Sequence, residues 1–439
     1  MSIDNGATCM VAAESSYGST DATDARALDD ATIGNLTAHS LRTTKDSWGS
    51  AAGALKQRTV ERNDITLAGG KAPLQVGAAI ASGGPVVSIS GDISLSFEGR
   101  TFGATAPTST ALGLLLSSGL ARVIQSAGTS STVTETTLNT FTTSGAMETA
   151  KFTAGAIVAV TQTDGTYKYC KVTGISGDVI TTLEPHGIPD TLTAVVRMCH
   201  MFYSPVDNEA DGGTLAIQIA PKDAEHTMLC VGARLAEFTI GLNDGTGVDF
   251  GASVRVPDGE YRDAAVITPS KPLYIGGAGA KALRTRVSPV LVTADLSAAS
   301  APATTTTSVF PVRTWDVKIS VGLIPTADPG TRSGLSGMRV SNAALTGTVT
   351  QSAPTSGADF REVLRLEQKR ALTLTAAGAN AAGNGMCVWV AAVEPTEDPG
   401  ITFANQDRTQ VVPFAAGDAA YASGGTEYLN VPWILAFVC

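Results

Sequence analysis

The sequence predicts a mainly β protein, and three observations carry that prediction. Small β-compatible residues (Thr, Ser, Ala, Val, Gly) dominate the chain, and no helical heptad or long amphipathic run interrupts them. Val87, Ile89, Ile93, Leu95 and Phe97 alternate with Ser88, Ser90, Asp92, Ser94, Ser96 and Glu98, the two-residue period of a strand with one wet face. Part of the chain also repeats at a constant offset, which points to a duplicated β domain.

The 439 residues are about three times the usual domain length, so two to four domains with real cores are expected. Only 16% of residues are charged, yet 43% are hydrophobic, and Gly and Pro stay below the level that signals disorder, so the chain folds. Residues 1–58 are polar and Ala/Thr/Asp-rich, with acidic residues Asp21, Asp24, Asp29 and Asp30, and read as an arm. After the strand at 87–98, Pro107-Thr108-Ser109-Thr110 caps a Leu- and Ala-rich helix expected from Ala111 to Val123. A Ser/Thr tract from Ser126 to Gly145 then leads into Phe152–Arg197, where Asp164-Gly165 and Ser176-Gly177-Asp178 turns punctuate short strands. Residues 126–203 therefore read as an inserted small β-barrel on the surface, ending at Tyr203-Ser204-Pro205.

The repeat sets the remaining boundaries. Gly247-Val248-Asp249-Phe250 with Val254-Arg255-Val256 recurs 110 residues later as Gly357-Ala358-Asp359-Phe360 with Leu364-Arg365-Leu366. Met228, Ala233 and Leu235 recur as Met338, Ala343 and Leu345. Upstream, Leu215, Ile217 and Ile219 align with Val317, Ile319 and Val321 at an offset of 102, which makes the second intervening hairpin (Pro325–Gly337) eight residues longer. Chance matching of small apolar residues is the competing reading. The duplication divides the chain into a first domain at 59–262, containing the insert, and a second at 263–439 with a C-terminal extension.

The net charge of −10 disfavours a protein that holds nucleic acid by neutralising phosphates. Neither a signal peptide nor a membrane-length apolar run is legible, so cytoplasmic synthesis without a membrane partner is expected. Six scattered cysteines without a C-x-x-C pair read as free, mostly buried thiols. No nucleophile elbow, phosphate loop or zinc motif occurs, and Gly276–Lys281 reads as a flexible loop rather than a phosphate cradle. Cys199 and His200, adjacent on a strand, point to opposite faces and do not form a metal pair. Hence no catalytic, cofactor-binding or metal-binding residue is assigned, and an enzyme is not expected. Acidic residues crowd Met201–Tyr261, but Asn243-Asp244-Gly245 and Pro257-Asp258-Gly259 read as turns. Two other classes stay open: a glycosidase-like carboxylate pair, with Asp249 and Glu260 as candidates, and a β-rich cell-surface glycan-binding module using Tyr167, Tyr169 and Phe202-Tyr203.

Five segments, taken in order, carry a family resemblance. They are Ala12-Ala13-Glu14-Ser15-Ser16-Tyr17-Gly18-Ser19; the strand Ser88–Glu98 followed by Ala104-Thr105-Ala106-Pro107 and the Leu-rich helix; Tyr203-Ser204-Pro205; Cys230-Val231-Gly232-Ala233-Arg234; and Gly383-Asn384-Gly385 running into Val388–Pro395. Together they resemble the major tail tube proteins of long non-contractile-tailed, siphovirus-like bacteriophages. The resemblance implies a tail-tube β-sandwich/barrel domain with a flanking helix, here duplicated. It implies a virion protein, assembled in the host bacterial cytoplasm, that polymerises into stacked rings, three duplicated chains giving pseudo-sixfold symmetry. Its partners would be itself, the tape-measure protein, and the tail terminator and distal tail proteins, while DNA passes through without specific binding. Under it, Ser88, Ser90, Asp92, Ser94, Ser96, Glu98, Gln218 and Asp316 face an electronegative lumen, with Lys318 departing from the pattern. Val87, Ile89, Ile93, Leu95, Phe97, Val317, Ile319 and Val321 form the core strands. The arm and the apolar Val431–Cys439 would contact neighbouring chains, and the insert would decorate the outside. A distal tail or baseplate ring protein of the same fold is the nearest rival.

Overall fold

A computed structural model describes residues 8–13, 39–41, 66–67, 89–103, 106–126, 129–189, 192–205, 213–220, 227–243, 247–262, 283, 290–294, 304–309, 312–327, 335–352, 371–377, 384–397, 401–404, 407–417 and 431–439. Val87, Ser88, the Gly276–Lys281 loop and the repeat segment at Gly357–Leu366 lie outside these residues. The described chain is mainly β, in two stacked sheets and a closed barrel.

Sheet I contains β1 (Thr8–Ala13), β2 (His39–Leu41), β3 (Thr66–Leu67), β4 (Ile89–Glu98), β12 (Leu215–Ala220), β13 (Thr227–Asn243), β14 (Gly247–Arg262), β17 (Val312–Ala327), β18 (Leu335–Ser352), β21 (Ala392–Pro395), β22 (Ile401–Ala404) and β23 (Asp407–Gly417). Its main path runs β2-β1-β12-β13-β17-β18-β23-β21, and β14 joins β13 to β4. Sheet II contains β5 (Ala121–Val123), β11 (Thr193–Tyr203), β15 (Val290–Ala294), β16 (Thr304–Val309), β19 (Ala371–Ala377), β20 (Gly385–Val390) and β24 (Trp433–Val438). Its order is β16-β15-β19-β20-β24-β11-β5. Each sheet joins a block of strands from before residue 263 to a block from 263–439, at β13–β17 in sheet I and at β11–β24 in sheet II.

The barrel is formed by β6 (Ser130–Thr137), β7 (Thr140–Thr143), β8 (Ile157–Thr161), β9 (Tyr167–Ser176), β10 (Val179–Thr182) and the first half of β11. It closes because β11 pairs with β6 and also with β8. The Ser/Thr tract read as a lead-in is in fact the β6–β7 hairpin: Val133 and Phe141 point inward while Thr132, Thr134 and Thr136 stay exposed. Gly165 and Gly177, both at positive φ, occupy the two expected turns.

Three apolar clusters follow from this layering. Phe238, Ile240, Val317, Ile319, Leu345 and Phe414 of sheet I pack with Leu372, Leu374, Val388, Leu435 and Phe437 of sheet II, closed off by Leu112, Leu115 and Leu116. On the far side of sheet II, Trp389, Ile434, Ala436, Cys199 and Met201 meet barrel residues Ile157, Ala159, Tyr167, Tyr169 and Leu183. The barrel has its own interior, with Phe141, Phe152, Val158, Val160, Val172 and Ile180. The centre of sheet II is thus covered on both faces, and β19, β20 and β24 are buried at every position. Two-sided burial accounts for the unbroken apolar reading of Trp433–Val438. The expectation that Val431–Cys439 reaches a neighbouring chain is therefore overturned: β24 is an interior strand between β20 and β11.

Other elements are corrected in the same way. The helix, α1, spans only Ala111–Ser117; Thr110 caps it, its hydroxyl oxygen accepting from the Gly113 N–H at 3.1 Å. It ends at Ser118-Gly119, where the chain passes so close to β13 that a Cβ on Gly119 would lie 2.9 Å from the Leu235 Cβ, and then turns into β5. A second short helix, α2, covers Ala146–Thr149 in the barrel. Pro257-Asp258-Gly259 is not a turn but lies inside β14, where the register to β4 jumps between Val256 and Gly259. Such a bulge leaves the missing proline N–H without a ladder partner to lose.

One hairpin from each half of the chain shows the same register pattern, with a different strand offset from the one read in the sequence. Leu215↔Ala233, Ile217↔Cys230, Gln218↔Leu229 and Ile219↔Met228 in the first hairpin correspond to Val321↔Ala343, Leu323↔Val340, Ile324↔Arg339 and Pro325↔Met338 in the second. Each hairpin carries a bulge at the same place, between Leu215 and Ile217 or between Val321 and Leu323. The offset of the first strand is therefore 106 rather than 102. Alternating strands match equally well at any even shift, so sequence similarity alone could not choose. Pro325 to Ala327 pair with Met338 to Leu335 as the end of the expected hairpin.

Because β11 belongs to both barrel and sheet II, the insert is not a removable decoration. Deleting residues 128–200 is expected to expose Trp389, Ile434 and Ala436 and to give insoluble or molten protein. Soluble expression with an intact near-ultraviolet circular dichroism spectrum would contradict this.

Candidate polar interface on sheet I

Alternation makes sheet I two-faced. One face supplies the main core, with Leu95, Phe250, Val317, Ile319 and Val321 all buried. The opposite face is built from cross-strand rows, with neighbouring strands about 4.8 Å apart. One row runs Glu98, Asp249, Gly241, Asp316, Thr348, Pro413 across β4, β14, β13, β17, β18 and β23. The next runs Ser96, Gly251, Thr239, Lys318, Thr346, Ala415, Glu394. A third runs Ser94, Ser253, Glu237, Ser320, Ala344, and a fourth contains Asp92, Arg255 and Arg234.

Asp92, Asp249, Asp316, Lys318, Ser320 and Arg255 are exposed. Arg255 forms an ion pair with Asp92, its second hydrogen bond measuring 3.1 Å, and Lys318 pairs with Glu237. The Thr348 hydroxyl donates to Asp316. Arg234 is half-buried and turned aside, donating to the Ser118 carbonyl at 2.9 Å, while the Ser118 hydroxyl accepts from the Leu235 N–H at 3.1 Å. The end of α1 thus fills the break between β12 and β17 along β13. The cationic exception that Lys318 posed in the sequence is resolved locally, since its charge sits against Glu237. Asp249, Asp316 and Glu394 keep the face acidic, and none of the four rows contains an aromatic residue.

The structure brings Asp92, Ser94, Ser96, Glu98 and Asp316 together in these rows. Ser90 lies beside the β14 bulge, paired with Thr66. Gln218 stands apart, between Met10 and Leu229, beyond the bulge in β12. Ile89, Ile93 and Phe97 occupy the intervening strand positions, Ile93 and Phe97 opposite buried Val254 and Phe250. The sequence reading missed Asp249, Thr239 and Glu237 as members of the same surface. Their alternation with Phe250, Ile240 and Phe238 was the available signal.

Other candidate chemistry does not assemble. Asp249 and Glu260 both lie on β14, and at about 3.3 Å per residue their Cα atoms are roughly 35 Å apart, far beyond a working carboxylate pair. Tyr167, Tyr169, Phe202 and Tyr203 are buried, so they offer no exposed stacking surface to a sugar. Cys199 joins the barrel-side cluster, whereas His200 turns to the other face against Phe102. Burial pulls the His200 pKa down to about 4, keeping it neutral near neutral pH. Cys170, Cys199, Cys387 and Cys439 are free, buried thiols, and Cys230 is buried as well. Among the described residues there is no group of His, Cys, Asp and Glu able to hold a metal, and no helix long and apolar enough to cross a membrane.

Both ion pairs are partly exposed, and such pairs contribute about 0–1 kcal/mol. A double-mutant cycle on Glu237→Gln and Lys318→Met, read by chemical denaturation, is expected to give a coupling of at most about 1 kcal/mol. A clearly larger coupling would mean that the pair is shielded from water. No protein-family model and no curated protein matches this chain.

Proposed function

We propose that the chain is a structural virion protein that polymerises into stacked rings forming a bacteriophage tail tube, with the polar face of sheet I lining the channel. The observation that supports this reading best is the continuity of that face. Hydroxyl and carboxylate side chains run across strands from both repeats, backed by one shared apolar core. Acidic groups repel a passing phosphate backbone, and the exposed Arg255 and Lys318 are each held by a neighbouring carboxylate. The rows lack aromatic rings on which bases could stack. The duty proposed for the surface is non-adhesion, so that DNA slides during ejection. Two equivalent hairpins per chain favour a ring of three chains. The tape-measure, tail terminator and distal tail proteins are the partners proposed for such a tube.

The first experiment is negative-stain electron microscopy of the concentrated protein, with the mass of the smallest soluble species measured in parallel. Hollow striated tubes with three chains per ring are expected. A monodisperse particle that never polymerises would overturn the tube and favour a single distal tail or baseplate ring.

A second experiment isolates the channel. The combination Asp249→Lys with Asp316→Lys, both exposed positions, is expected to leave assembly intact while making tubes retain duplex DNA at about 50 mM salt and release it at about 200 mM. Equal DNA retention by wild-type and variant tubes would remove the electrostatic part of the proposal.

A further inference from the structure

The junction between barrel and sheet II contains a buried ionisable cluster that the channel reading does not use. Lys171 of β9 is fully buried, with its Nζ 3.9 Å from the centroid of the Trp389 ring in β20. Glu184, just after β10, is 1% exposed. Its Oε2 accepts from the Lys171 backbone N–H at 2.7 Å, and its Oε1 accepts from the Trp389 indole N–H at 2.8 Å. One carboxylate therefore ties the barrel to sheet II, and one ammonium lies on the same indole from above.

The neighbouring titratable groups do not share this behaviour. Tyr169 and Cys170 on the barrel side, and Cys199 and Cys387 on sheet II, are raised well above their ordinary range by burial and stay neutral. Lys168 acts on Cys170 from the barrel side. Burial, opposed by Glu184, brings Lys171 down to about 7, whereas burial raises Glu184 against the two N–H donors that hold its ionised form.

We propose that the barrel–sheet II junction is a proton-linked latch that tightens as Lys171 releases its proton. In an opened junction Lys171 regains water and its ordinary pKa of 10.5. Between about 7 and 10.5 the closed form therefore holds fewer protons than the open form, and closure strengthens by up to about tenfold per pH unit. Glu184 works in the opposite sense at lower pH: its raised pKa makes the closed form hold more protons just above 4.5, so closure weakens as pH rises there. This inference concerns a different face of sheet II and does not depend on the tail-tube reading.

The test uses the full chain with ¹⁵N-labelled tryptophan, the Trp389 indole signal being assigned with Trp389→Phe. That signal is expected to titrate with a midpoint of about 7, because the charge directly above its ring disappears. In parallel, exchange protection of β20 and β24 amides, corrected for intrinsic rates, should rise by up to about tenfold per pH unit above neutrality. Lys171→Met should flatten that slope. A Trp389 signal that does not move through neutrality, or an unchanged slope in Lys171→Met, would overturn the proposal. If Lys171→Met does not fold, the indole titration of the wild-type chain decides alone.

Discussion

The central strands of sheet II, β19, β20 and β24, have no face in contact with water, and the rest of the described structure is arranged around that constraint. Its strands are too apolar to be left open on either side: Trp389, Ile434 and Ala436 point one way, and Val388, Leu435 and Phe437 the other. Sheet I and α1 close one side, and the barrel closes the second. Losing the packing of a single buried tryptophan in such a place costs about 3–5 kcal/mol. That is a large share of the 5–15 kcal/mol by which folded proteins exceed their unfolded states. The barrel is consequently part of the core architecture, and β11 runs through both units.

Covering sheet II from one side uses one face of sheet I and leaves the other to solvent. Nothing among the described residues packs over the rows that contain Asp249, Asp316 and Lys318, and a two-residue period then suffices to keep that face polar. Directly opposed like charges destabilise a sheet. The face tempers its acidic character by interleaving Ser and Thr and by matching Arg255 to Asp92 and Lys318 to Glu237. A surface of this kind is well hydrated and weakly adhesive. Acidic residues outnumber basic ones along its rows, with Asp249, Asp316 and Glu394 set against Arg255 and Lys318.

The contrast between the two ionisable regions is one of dielectric. On sheet I the charges are solvated and their pairings worth little. At the barrel junction the same kinds of group, Lys171 and Glu184, are out of water, so their protonation is tied to whether the junction is closed. The second region is where sequence reading had least to work with. Lys171 alternates with nothing distinctive, and Glu184 follows a turn in which a carboxylate would ordinarily be read as solvated. Only the packing of the barrel on Trp389 makes the pair buried.

The fold class, the wet and dry sides of β17, the free thiols and the presence of a small barrel were all legible from residue order, because alternation and turn chemistry are local. Register and layering were not. An alternating strand can shift by two or four residues without penalty in sequence, so the equivalence of Leu215 with Val321 needed the observed pairs. A run such as Trp433–Val438 reads alike as an interior strand or as a sticky tail, and the neighbours β20 and β11 decide between them. By itself the sequence determined which residues seek water and which avoid it; the tertiary structure decided what covers them, because burial depends on partners more than two hundred residues away along the chain.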